Sequence, residues 1–199
     1  MAVSAGTVKE LREKTGAGMM DCKKALQECE GDMEKAINLL REKGAAVLSK
    51  RESKAATEGT IAVYIHTGSK IGVMVEMNCE TDFVAKTDDF QELARDIAMQ
   101  IAWSQPEFVC REEVPQEKLD QEAVINRQWA LNQGKPEAAV AKIVEGRMEK
   151  YFTQVCLMEQ PFVKNEDQSI GDVIREKAAK LGEKLALRRY VRFRVGEES

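Results

Sequence analysis

Five cysteines (Cys22, Cys29, Cys79, Cys110 and Cys156) and a single histidine, His66, are the residues of this 199-residue chain best suited to nucleophilic or metal chemistry. Their spacing supports neither. No two cysteines form a C-x-x-C pair, and one imidazole cannot complete a mixed Cys/His set, so no zinc site is expected. The thiols are also too scattered for a disulfide framework and read as reduced side chains, buried or half-buried. A thiol nucleophile at Cys79 or Cys22 would need a histidine as base, and His66 falls on an expected strand, which leaves a cysteine-dependent hydrolase as the weakest functional class. Adjacent carboxylates such as Asp88 and Asp89 occupy helical positions where capping and solvation are ordinary. There is no Walker loop, no G-x-G-x-x-G after a strand, no H-E-x-x-H and no G-x-S-x-G. Neither covalent chemistry nor a cofactor is expected, so the chain is not read as an enzyme.

Two stretches are better suited to binding. The first, Asn78 to Val84, joins the clearest strand to the clearest long helix. Before it, Ile71, Val73, Val75, Met77 and Cys79 alternate with Gly72, Met74, Glu76 and Asn78, which predicts a strand with one buried face. After it, Phe90, Leu93, Ala94, Ile97, Ala98 and Ile101 recur at helical spacing. Thr81 or Asp82 can cap the first turn. Phe83 fits neither periodic face and is expected to project. The second stretch runs from Thr15 to Leu26, where Met19 and Met20 follow a Gly-x-Gly turn. Two adjacent methionines cannot both face one core, so at least one is expected at the surface, either as an adaptable binding contact or as loose cover for a helix junction.

The elements that hold these stretches follow from periodicity and punctuation. Ser4 or Thr7 can cap a first helix using Val8 and Leu11, which Gly16-Ala-Gly18 ends; a second begins near Met19 and closes at Gly31. Asp32 caps a third, with Met33, Ala36, Ile37, Leu39 and Leu40 apolar and Gly44 as its stop. Residues 1–45 are thus a three-helix unit, 46–58 a helical extension and exposed linker, and 59–199 an α+β core. In the core, Ile61, Val63 and Ile65 begin a strand that turns through Thr67-Gly-Ser-Lys70 into the Ile71 strand as an antiparallel hairpin. Helices follow from Pro115 to about Asn132, from Pro136 to about Glu159 with an apolar stripe from Val140 to Met158, and after Ser169. A final strand places Val191, Phe193 and Val195 on one face and Tyr190, Arg192 and Arg194 on the other, completing a small antiparallel sheet packed with helices.

Charge and composition narrow the partners. The net charge is −4, so the chain as a whole does not attract phosphate backbones or anionic bilayers, and no direct nucleic-acid or membrane partner is expected. No apolar run approaches the roughly 20 residues needed to span a bilayer, and the N-terminal residues lack the basic and apolar segments of a signal peptide, so a cytoplasmic location is expected.

Lys9-Glu-Leu-Arg12, TGAGMMDCKKAL from Thr15, Asn78-Cys-Glu-Thr-Asp-Phe-Val-Ala85, Glu145-Gly-Arg-Met148, Gln160-Pro-Phe-Val163 and Val191-Arg-Phe-Arg-Val-Gly-Glu197 together resemble the elongation factor Ts family, the guanine-nucleotide exchange factors of elongation factor Tu. The resemblance covers nearly the whole chain. It implies an N-terminal domain of the ubiquitin-associated type that docks on the GTPase domain of elongation factor Tu through Lys9, Arg12, Met19, Met20 and Lys23. It also implies that Thr81, Asp82, Phe83 and Val84 disturb the partner's magnesium site, with Phe83 as a wedge between helices. The length after the linker suffices for one core half where longer members carry two. Self-association into a homodimer, and a 2:2 assembly with elongation factor Tu, is therefore expected, with the Val140 to Met158 stripe as a candidate surface unless it closes the chain's own core. The competing class is an interaction adaptor that uses the ubiquitin-associated-like helices alone.

Overall fold

The computed structural model describes residues 3–51 and 53–197. Met1, Ala2, Glu52, Glu198 and Ser199 lie outside the described residues, and with them the outer ends of the expected 1–45 and 59–199 spans and one position of the 46–58 linker. The fold is α+β: three helices, then a core with a small antiparallel sheet and further helices. By contacts the described chain divides into two units. One gathers the residues up to Thr60 with Met77–Leu93 and Ile174–Ala186; the other gathers Ile61–Glu76, Ala94–Val173 and the residues from Leu187 onward.

In the first unit, α1 (Ala5–Thr15) is capped by Ser4 rather than Thr7, since the Ser4 hydroxyl accepts from the Thr7 amide at 3.1 Å. Gly16, at φ 67°, ends it in the left-handed conformation with its amide bonded to the Arg12 carbonyl. Helix α2 (Met19–Glu28) starts without a side-chain cap, and α3 (Met33–Arg51) starts at Asp32, whose carboxylate accepts from the Lys35 amide at 3.1 Å. Val8, Leu11, Cys22, Ala25, Leu26 and Ala36 form the shared core of these helices. Complete burial of a leucine such as Leu11 or Leu26 is worth about 2 kcal/mol, enough to hold three helices too short to persist alone.

Gly44 does not stop the third helix, which continues through it to Arg51. A Cβ at Gly44 would come within 3.2 Å of the Ala179 Cβ on α8 (Ile170–Leu181), so the residue is small because another helix passes close by. The same unit contains the Asn78–Val84 corner, after which the periodicity predicts one continuous helix. Two are present: a single turn, α4 (Asp82–Ala85), and α5 (Asp88–Ser104). The break arises because Thr87 offers a second cap, its hydroxyl accepting from the Phe90 amide at 3.3 Å.

The three-stranded sheet has the order β1 (Glu58–Ile65), β2 (Ile71–Cys79), β5 (Ala186–Arg194). The hairpin turn between β1 and β2 is closed by the His66 amide donating to the Ile71 carbonyl at 2.9 Å. Strand β2 buries Val73, Val75, Met77 and Cys79, as its alternation predicts. On both outer strands the larger apolar side points outward. Ile61, Val63, Ile65, Val191 and Phe193 are exposed, as is Val195 just past β5, while Ala62 and the side chains of Tyr190 and Arg192 are turned inward. Tyr190 is held there by donating to the Pro106 carbonyl at 2.6 Å.

In the second unit α6 (Gln116–Asn132) and α7 (Glu137–Val155) pack along each other. The expected helix to Glu159 ends at Val155, and Leu157–Glu159 form a 3-10 turn. Val140 is buried, and Val155 packs with Val114 and Cys156 beside Phe108, Leu119, Tyr151 and Phe152, so much of this apolar stripe closes the unit's own core. A second hairpin, β3 (Pro161–Phe162) with β4 (Asn165–Ser169), precedes α8, whose first turn is capped by Ser169 at 3.1 Å from the Asp172 amide.

Candidate partner-binding site

Strand β2 ends at Cys79, and the chain turns at Glu80 and Thr81 into α4, so the first residues of that turn are thrown outward. Phe83 is 79% exposed, while Ala85 on the opposite side of the turn is buried. The ring is a large apolar surface presented to solvent on a backbone turn that is itself ordered by hydrogen bonds. Thr81, not Asp82, caps the turn: its hydroxyl oxygen accepts from the Val84 amide at 3.4 Å. Asp82 pairs instead with Lys86 at 2.6 Å, and that hydrogen bond holds its carboxyl below the usual aspartate range and raises the Lys86 ammonium. The other end of the turn is tied by the Gln91 side-chain amide, which donates to the Ala85 carbonyl at 2.7 Å.

Beneath the turn lies a group of charges that no sequence pattern singles out. The Glu183 carboxylate accepts from the backbone amides of Glu80 and Thr81, both at 3.1 Å, and from the Thr81 hydroxyl at 2.6 Å. In return the Glu80 carboxylate accepts from the Lys184 amide at 2.8 Å, from Arg51 at 2.8 and 2.9 Å, and pairs with Lys54 at 3.2 Å. The Glu80 side chain is only 10% exposed. The Lys184 amide, then the Arg51 guanidinium, depress its carboxyl from 4.5 to about 2. Cys79, buried beside this group, donates its thiol to the Thr81 carbonyl at 3.1 Å. Burial first and the Glu183 carboxylate second push that thiol up to about 11, so it is a neutral donor rather than a nucleophile near pH 7.

The second candidate surface is on the first two helices. Met19 and Met20 are both exposed, at 51% and 62%, so neither belongs to the three-helix core. Lys23, one turn further along α2, is exposed on the same side by helical spacing. Lys9 and Arg12, three residues apart on α1, are exposed too, and Lys9 lies 3.7 Å from Glu13. The structure therefore groups Met19, Met20 and Lys23 on one helix face, Lys9 and Arg12 on another, and Asp82, Phe83 and Val84 on the α4 turn. Among the described residues no cluster of three or more metal-ligating side chains occurs and no helix is long and apolar enough to cross a membrane. The site has the chemistry of a protein-binding surface: soft and aromatic side chains presented on ordered backbone, with charge beside them.

Residues 4–197 match the family described as Elongation factor TS. The chain belongs to the elongation factor Ts family. It is 60% identical to the elongation factor Ts of Carboxydothermus hydrogenoformans over 195 residues, which is 98% of this chain and 90% of the relative. It is 58% identical over the same length to that of Moorella thermoacetica, covering 96% of the relative, and 59% identical to that of Heliobacterium modesticaldum, covering 91%. Membership in the elongation factor Ts family extends over both units and both candidate surfaces.

Proposed function

We propose that this chain is a cytoplasmic guanine-nucleotide exchange factor that binds elongation factor Tu carrying GDP and promotes GDP release during translation elongation. The observation that carries the proposal is Phe83, an aromatic 79% exposed on a turn tied at both ends, in a chain of the elongation factor Ts family. Met19, Met20, Lys23, Lys9 and Arg12 dock the three-helix unit on the GTPase domain. Phe83 then inserts between helices of that domain, with Thr81, Asp82 and Val84 fixing its approach.

The chemistry is binding alone. GDP is held in its GTPase by phosphate-loop amides and by a magnesium ion that bridges protein and phosphate. A factor that binds best to the conformation in which those contacts are poorly made must weaken GDP by the same factor by which GDP weakens it. A buried aromatic anchor costs roughly 2 kcal/mol or more on truncation, which is a sufficient share of such a coupling.

The same chain is proposed to work as a homodimer in a 2:2 assembly. The Val140 to Met158 stripe is a poor dimer surface because Val140 and Val155 are already buried. The outer face of the sheet is a better one: Ile61, Val63, Ile65, Met74, Phe193 and Val195 are all exposed, with Phe193 at 68%. An apolar sheet face of this kind suits a second copy of itself, because a two-fold axis sets the same self-complementary patch of both chains face to face.

Release of fluorescent GDP from elongation factor Tu tests the proposal. Micromolar amounts of the intact chain should accelerate release strongly, and the two proteins should co-purify in equal amounts. No acceleration despite a stable complex would favour the adaptor, in which the helical unit binds and the core does nothing to the nucleotide.

A further inference from the structure

Helix α4 is one turn long and cannot be stable by itself, because the first turn of a helix fixes several dihedral angles for a single hydrogen bond. Yet it must be rigid if Phe83 is to push against anything. Its rigidity is supplied from outside, and the Thr81 hydroxyl shows how. That hydroxyl has one proton and two lone pairs. The proton goes to Glu183 Oε1 at 2.6 Å, which leaves the lone pairs facing the Val84 amide at 3.4 Å. Glu183 therefore selects the hydroxyl orientation in which Thr81 can cap the turn. Its other oxygen takes the Glu80 and Thr81 amides, the two backbone donors at the corner itself. The clasp is reciprocal, since Glu80 takes the Lys184 amide next to Glu183 and is then held by Arg51 at the end of α3.

We infer that Glu183 is a positioning residue for nucleotide exchange: acting through Thr81, it holds the Asp82–Ala85 turn in the orientation that presents Phe83. This rests on Phe83 being the inserting residue, and it adds a residue from far along the chain whose side chain is committed to the backbone and hydroxyl of the corner. Glu80 is the counterpart that helps keep Glu183 in place, by accepting from the Lys184 amide beside it at 2.8 Å. The loss of Glu183 leaves the methionine surface intact, so it weakens the step after docking and not docking itself.

The test is a double-mutant cycle on fluorescent-GDP release from elongation factor Tu, using the full-length chain as the parent, Glu183→Gln, Phe83→Ala and the two together. Glutamine keeps the shape and one acceptor oxygen but loses the charge and replaces the second acceptor with a donor. At saturating factor, Glu183→Gln should lower the maximal release rate about 10-fold, within the usual range of coupling between sites, while the half-saturating concentration stays as in the parent. In the Phe83→Ala background the same change should lower the rate by less than about 2-fold, since nothing remains to be positioned. Equal losses in both backgrounds, or a raised half-saturating concentration with an unchanged maximal rate, would overturn the inference. So would a Glu183→Gln protein as fast as the parent when Phe83→Ala is slow. A Phe83→Ala protein as fast as the parent would instead remove the wedge, and the positioning role with it. Should Glu183→Gln fail to fold, Thr81→Val severs the same link with an isosteric side chain and must give the same non-additive pattern.

Discussion

Met19, Met20 and Phe83 are large apolar side chains left in water while their neighbours Cys22 and Ala85 are buried, and that contrast separates the proposed contact residues from the core. Methionine and phenylalanine are suited to different tasks. Methionine adapts to an irregular surface, whereas a phenyl ring keeps its shape when pushed into one. Truncating Met20 to alanine should therefore raise the half-saturating concentration in GDP release about 5-fold, as loss of a contact worth roughly 1 kcal/mol does, and leave the maximal rate unchanged. A titration of release rate against factor concentration distinguishes the two effects. The methionines and Phe83 stand out by residue type and spacing alone, because each breaks a local pattern. Glu183 breaks none, since a glutamate after a helix is ordinary, and its partner Thr81 lies 102 positions away.

At the scale of elements, the corner between β2 and α5 is held by charges whose protonation can be followed. Glu80 has its carboxyl depressed from 4.5 to about 2, chiefly by the Lys184 amide and then by Arg51. A depressed acid stabilises the folded chain at pH values above its ordinary range and loses that contribution as pH falls through its folded value. The melting temperature of the parent should thus exceed that of Glu80→Gln most clearly near neutrality. The gap should close as pH is lowered from about 4.5 toward 2; a gap independent of pH would show that the carboxylate charge is not what matters. Strand β2, helix α5 and the Thr67–Lys70 turn are legible in the sequence because each depends on neighbours a few residues away. The continuation of α3 through Gly44 is not, because the reason is Ala179 on a distant helix. The separation of α4 from α5 is written in Thr87, but a second cap two residues after the first turn is hidden among so many capable side chains.

For the whole molecule, the decisive feature is the outer face of the sheet. Alternation along β1 and β5 shows that each has two different faces, but it does not say which face the helices cover. Ala62, Tyr190 and Arg192 are turned inward on strands whose larger apolar residues are exposed. Such a face is costly in a monomer and favourable in a dimer. Sedimentation at micromolar concentration should give about twice the 22.3 kDa chain mass, and Phe193→Lys should shift the protein toward a monomer, since each copy would bring an unpaired ammonium into the proposed interface. A compact single-chain species for the parent would remove the dimer. In the proposed mechanism the docking surface, the turn and the clasp act together on one partner, and Phe83 is the residue on which that mechanism turns. The maximal rate of fluorescent-GDP release from elongation factor Tu, measured at saturating Phe83→Ala, tests it most directly. That rate should be at least about 30-fold below the parent's, the equivalent of roughly 2 kcal/mol, with the complex still formed. A Phe83→Ala protein that releases GDP as fast as the parent would rule out the aromatic wedge.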